Sequence, residues 1–445
     1  MNDNKMAKWL FIVSGAVVAL AIFVSIWVQK ANTIPTIHIP TPKMPSPNAY
    51  DSYIAAANAI QEADKIGYAI SEYTYPAQPA GSPPTLERNY SLAEKEAIIH
   101  KNAKALSALR QGFNYEYLNP PVRSFSAICP HFSRFREMAR LLVLEAQVKA
   151  GQGDWGGSME SRLDAIRMGQ DIPRGGGLIS MLVGVAIQSI GRKGAWKVVD
   201  KLDIGETQGA ILQMEDILAR QLPFADTIQE EKWSGQAGLI ELFQQPGWRS
   251  SMGAYIGSGS TSSTAPILDS IRSLTWSKGK ALRAYTTYMD QYIKTCRMPY
   301  PAMAKGSPKI PNEPICRMIL PVLDKERYAG LKAETQNTLF TVTLALHAYH
   351  LEHGRYPAAL AELTSSYLKK IPNDPFALKK PLKYKQVGAK YVLYSIGPDA
   401  KDNGGKPIYD KSQAPGPGAP PSQQQRPYTM LPESKGDLVA GVNIL

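Results

Sequence analysis

The chain has 445 residues, 44% of them hydrophobic and 20% charged, which excludes a chain disordered throughout and leaves apolar material for two or three cores. Its 50 lysines and arginines outnumber 38 acidic residues, giving a formal charge of +12. The basic residues are scattered rather than gathered into a stripe, and no nucleic-acid-binding motif accompanies them, so the excess reads as attraction to anionic envelope surfaces and not as nucleic-acid binding.

The first element is Trp9–Val28, WLFIVSGAVVALAIFVSIWV, twenty residues without a charge. At helical rise it spans a bilayer's hydrocarbon core of about 30 Å, with an indole near each end. Lys5 and Lys8 precede it, so the positive-inside rule keeps the tip in the cytoplasm and sends the rest across the inner membrane. The run exceeds a signal peptide's apolar region and VQKANT is a poor cleavage site, so residues 1–30 read as an uncleaved signal anchor. Residues 31–47 carry five prolines and read as an extended, semi-rigid spacer.

From 48 to 297 the apolar periodicity is helical. Helices are expected near 48–72, 91–111, 132–150, 156–170, 178–202, 206–222, 224–244 and 266–295, separated by breakers such as NPP, GQGDWGG and IPRGGG. No period-2 run competes, which points to an all-α domain of packed hairpins. Residues 298–323 form a proline-rich linker. Cys296 and Cys316 bracket most of it, either bridged or as two unrelated thiols, and Cys129 is left over.

A long helix follows over 324–352, with Leu339, Val342, Leu346 and Tyr349 making one apolar stripe. Gly354 stops it and Pro357 starts a short helix over 358–368. IPNDP is a turn. Strands are expected at 382–386 and 391–395 around a three-residue loop, Val387-Gly388-Ala389. The tail 411–445 is rich in proline, glycine and glutamine and reads as disordered.

The segment 325–410 carries a series of short motifs. A helix ends at Gly354 before Tyr356-Pro357; Lys370-Ile371-Pro372 precedes Asp374-Pro375; and Ser395, Gly397 and Asp399 form an S-x-G-x-D loop. In this order they resemble the soluble domain of the type II secretion major pseudopilins. The resemblance implies a small α+β domain over 324–410 with a calcium loop, and protein partners in a secretion or pilus-like machine. The chain departs from that family in two ways: its apolar anchor lies some three hundred residues upstream of the long helix, and it has neither the glutamate nor the Gly-Phe-type peptidase site. The whole arrangement resembles membrane-anchored proteins of environmental bacteria, from which no activity carries over.

For calcium, the residues are Asp399, Asp402 and Asp410, with Asn403 beside them; hard cations take carboxylate and amide oxygens from such loops. His347, His350 and His353 sit three apart, but positions six apart diverge around a helix, and a helix C-terminus welcomes histidine through its dipole alone. GQGDWGG has dinucleotide-type glycine spacing but follows a helix rather than a strand, so it is a turn. Arg174–Gly177 opens a helix where an anion could bind, or is a plain loop. No spacing singles out a catalytic pair or nucleophile, so the function expected is that of a non-enzymatic scaffold. The alternative is an envelope enzyme or carbohydrate-binding protein with its site in a groove of the helical domain.

Overall fold

The computed structural model describes residues 33–70, 90–125, 129–249, 276–300, 306–320, 323–409 and 430–442, with isolated positions between 16 and 29. All but a few positions of Trp9–Val28 lie outside these. Among the described residues no helix is long and apolar enough to cross a membrane. The fold is mostly helical, with one small three-stranded antiparallel sheet near its C-terminal end.

The first helices are α1 (Ala49–Asn58), α2 (Ala63–Ala69), α3 (Leu92–Lys101) and α4 (Ala103–Gly112). Two expected helices are thus each split. The break at Asn102 has a local cause: its side-chain amide accepts from Gln61 N at 2.8 Å and donates to Ile98 O at 2.9 Å. An asparagine that bonds backbone in this way competes with the helical ladder. Upstream, α3 opens in a capping box in which Ser91 and Glu94 each accept from the other's backbone N–H.

Three long helices form the centre: α5 (His131–Gly151), α6 (Trp155–Asp171) and α7 (Leu178–Arg192). The GQGD turn joins α5 to α6; Gly153 takes φ +84° and Asp154 caps α6 by accepting from Gly157 N at 2.8 Å. Helices α6 and α7 touch backbone to backbone. A Cβ on Gly169 would lie 2.6 Å from the Gly184 carbonyl, and one on Gly184 2.4 Å from that of Gly169. The apolar run of α7 is therefore a buried central helix, as its length suggests.

Then come α8 (Ala195–Val198) with a 3₁₀ turn (Val199–Lys201), α9 (Ile204–Ala219), α10 (Phe224–Gln244), α11 (Lys278–Cys296) and α12 (Pro314–Ile319). Cys296 and Cys316 are buried in the core that α10, α11 and α12 share, and no disulfide joins them. The upstream segment does not stand clear of the body. Ile34 and Ile37 pack on that same core, and the Arg123 guanidinium donates to Pro40 O at 2.5 Å.

The long helix α13 spans Leu323–His353. The expected stripe is buried, but so are Phe340, Leu344, Ala345 and Ala348. The physical reason is that α13 has neighbours on two sides. Phe340 meets Trp196 edge-on at 4.9 Å, and the His347 ring lies 3.2 Å from Leu202 O, both on the helical body. Near the opposite side, His350 stacks on Tyr356 at 4.6 Å, which in turn meets Tyr391 of the sheet. One continuous core therefore joins Ile211 and Met214 of α9 to Leu346, Phe376, Leu393 and Leu438.

Gly354 ends α13 with φ +66°. The short helix expected over 358–368 is only a 3₁₀ turn, Leu360–Leu363. It is held tight because Glu362 accepts both the Ala359 N–H, at 3.0 Å, and the Tyr349 hydroxyl, at 2.7 Å. Strands β1 (Lys383–Val387) and β2 (Lys390–Ser395) pair with Val387 opposite Lys390, so the loop is two residues rather than three, with Gly388 at φ +61°.

The tail needs correction. Residues 411–429 lie outside the described part, but 430–442 are folded, and Leu438–Val439 forms β3 against β2. The apolar residues of MLPESKGDLVAG account for this. Met430, Leu438 and Val439 are buried, and β3 covers the edge that β2 would otherwise present to solvent.

Candidate functional site: a cavity in the helical body

Of the three carboxylates expected to hold calcium, Asp410 lies outside the described residues. Asp399 accepts from Lys401 N at 3.1 Å and faces Asn403 Nδ2 at 3.4 Å. Asp402 accepts from the Tyr394 hydroxyl and Gly404 N, and pairs with Lys383 at 3.1 Å. These donors hold its carboxyl below the ordinary range, with the Gly404 N–H the main cause. A buried carboxylate outside the expected calcium set, Asp437, accepts from Asn403 N and Gly405 N. The loop oxygens thus serve the loop's own donors. Among the described residues no group of three or more His, Cys, Asp or Glu is placed to hold a metal ion.

The other motifs resolve structurally. His347, His350 and His353 turn to three separate partners, Leu202 O, Tyr356 and Tyr349. At the start of α7, where an anion could bind, Glu231 supplies the negative charge: its carboxylate accepts from Leu178 N at 2.9 Å. Buried charge also sits between α4, α5 and α6, where Arg110 bridges Glu145 and Asp164. Burial pushes Asp164 up to about 6 despite the Arg110 charge. That cluster is internally matched and holds three helices together.

A different place is not internally matched. A cavity of about 460 Å³ opens between α6, α7, the start of α10, the end of α11 and the first half of α13. Its volume falls in the small-molecule range of roughly 300–1,000 Å³. Met181, Val185, Leu222, Phe224 and Leu331 supply apolar walls. Arg327 and Glu334 both reach it from α13, where a spacing of seven residues puts them on one face two turns apart.

Arg327 is anchored; it donates to Met298 O at 2.8 Å. Glu334 is not: among the described residues no hydrogen bond or ion pair reaches its carboxylate. Burial lifts that carboxyl to about 7, although the Arg327 charge pulls the other way. On α6, Gln170 is almost wholly buried. Its amide nitrogen donates to Gln221 at 2.9 Å, while its Oε1 has no partner among the described residues. A buried acceptor left unsatisfied costs about 1–3 kcal/mol. The cavity therefore sets one carboxylate and two arginines, Arg297 and Arg327, beside an apolar surface. Its carboxyl can also gain or lose a proton near neutrality. The seven-residue spacing aligns Arg327 and Glu334 on one face of the helix, but Gln170 and Gln221 are brought to the same cavity only by the tertiary fold. No family model, no curated protein and no solved structure matches this chain.

Proposed function

We propose that this chain is a membrane-tethered extracytoplasmic protein, non-enzymatic in its main role, that serves as a scaffold or accessory component of a type II secretion or pilus-like machine. One observation carries the reading. Asp374, from the Lys370–Pro375 turn, is buried and accepts from Ser395 Oγ at 2.7 Å and Ile396 N at 2.9 Å, so the two short motifs that resemble the pseudopilins form one unit. The tether is the Trp9–Val28 run. The few of its positions that are described are helical, and Val18, Ile22, Phe23 and Ile26 are exposed, which supports a lipid-facing helix. Because α13 is buried on two sides, the protein would not pack through that helix as a fibre subunit does; it would offer its outer surfaces to partners.

Two measurements test the reading. Alkaline phosphatase fused after Pro47 is expected to be active; an active cytoplasmic reporter at that point would reverse the topology. Crosslinking in native membranes is expected to recover components of a secretion or pilus-like machine, and recovery of none would remove the assignment. Calcium on the 399–410 loop belongs to the same reading. A calcium-dependent rise in melting temperature, lost in Asp399→Ala, is its expected signature.

A second reading makes the helical body a binding protein. It is favoured by the cavity of about 460 Å³, which Glu334 lines with no hydrogen bond to its carboxylate among the described residues.

A further inference from the structure

We infer that the N-terminal end of α11 lies on the surface of the membrane that holds the tether, with Lys280, Arg283 and Lys309 set against anionic lipid headgroups. The inference rests on the tether reading above and adds which face of the body meets the lipid.

The body begins close to the end of the apolar run. The N–H and the hydroxyl of Thr33 both donate to Gln29 O, at 3.1 and 2.9 Å, which keeps Thr33 about one helical turn, roughly 5 Å, beyond Gln29. A bilayer's headgroup layer is about 5–8 Å deep on each side, so Thr33 and what it touches lie at the lipid surface. What it touches is α11. A Cβ on Gly279 would meet Thr33 O at 3.0 Å and the Arg283 guanidinium at 3.2 Å, so the first turn of α11 and an arginine close on the same point. Ile34 and Ile37 then pack on the core that α11 shares, which fixes this approach.

The charge at this end is of one sign. Lys280, Arg283, Thr287 and Gln291 recur on one exposed face of α11, and Lys309 joins them across a shallow groove. No carboxylate lines that groove, and among the described residues none pairs with Lys280, Arg283 or Lys309. A helix N-terminus favours negative charge, yet the first turn of α11 has no acid and carries Lys278 and Lys280. Burial, and then the Arg249 charge, hold the Lys278 ammonium below its ordinary value. Cations gathered at a helix's positive end are stabilised by an anionic surface outside the chain, and lipid phosphates are the anions that a tethered chain meets first. An acidic protein would have to reach the same face past the bilayer itself. Exposed Ile310, beside Lys309, adds an apolar side chain suited to the interface.

The test uses the full chain in lipid nanodiscs, one set of phosphatidylcholine alone and one that also contains phosphatidylglycerol. Lysine acetylation by a water-soluble N-hydroxysuccinimide ester is followed by mass spectrometry. Lys280 and Lys309 are expected to react about threefold more slowly, or slower still, in the anionic discs, and Lys390 of the sheet hairpin to react alike in both. The difference is expected to vanish at 1 M salt, where the Debye length falls to about 3 Å. Arg283→Gln is expected to reduce the slowing at Lys309 with an unchanged melting curve. Equal reactivity of Lys280 and Lys309 in the two discs overturns the inference and leaves the tether reading standing. A chain that fails to stay with the discs removes the tether reading and this inference with it. Slowing in native membranes but in neither disc assigns the face to a protein partner and overturns the lipid assignment.

Discussion

Asp374 and Ser395 are joined by a 2.7 Å hydrogen bond between side chains that are both buried and 21 residues apart. The same carboxylate accepts from Phe376 N at 2.9 Å and Ile396 N at 2.9 Å, so one side chain fixes the turn before β1 to the exit of β2. Burial alone raises this carboxyl, and these bonds to the charged form pull it back. Asp374→Ala leaves a buried N–H, a part-buried N–H and a buried hydroxyl without their acceptor. The expected loss is about 2–5 kcal/mol in denaturant unfolding, with Asp374→Asn costing less because one amide oxygen remains. A loss below about 0.5 kcal/mol for Asp374→Ala, the scale of an ordinary surface change, would show that the clamp does not hold the two segments.

Leu346 is fully buried in the core that joins α9 to the sheet. Leu346→Ala is expected to cost about 2–5 kcal/mol. Leu346→Asp buries a charge with no partner and is expected to unfold the sheet region. Because the core is shared, hydrogen exchange in α9 should accelerate along with that in β2. Exchange confined to residues beyond 353 would show instead that the C-terminal part unfolds by itself.

Much of this architecture is legible locally. The breakers, the Asp154 cap and the glycine stop at 354 place helix boundaries because caps and left-handed glycines act within a few residues. What the sequence conceals is non-local. Asn102 breaks a helix because Gln61 happens to lie beside it. The strand Leu438–Val439 is two residues long and becomes a strand only because β2 has an open edge. The cavity has the same character: seven-residue spacing aligns Arg327 with Glu334, but nothing in the chain before folding brings Gln170 to the same wall.

Gly354 supplies an isolated test of backbone conformation. Its φ is +66° and an added Cβ would meet nothing within 4 Å, so substitution carries a conformational cost and no clash. Gly354→Ala is therefore expected to cost about 1–2 kcal/mol, the penalty for an L-residue in the left-handed region. Thermal unfolding unchanged by Gly354→Ala would mean that α13 does not end there.

The last prediction uses the cavity carboxyl. In the folded chain Glu334 titrates near 7, raised from an ordinary 4.5 by burial. The native state then holds this proton more tightly than the unfolded state does. Its contribution to stability is greatest below the ordinary value and declines as pH rises through about 7. Wild type is therefore expected to lose stability relative to Glu334→Gln across that window, by on the order of 1–3 kcal/mol. Asp164 titrates in the same range, near 6, but is present in both proteins, so the difference between the two curves isolates Glu334. Denaturant unfolding at several pH values gives the measurement. Parallel curves from below pH 5 to above pH 7 would show that Glu334 is solvated as an ordinary surface carboxylate.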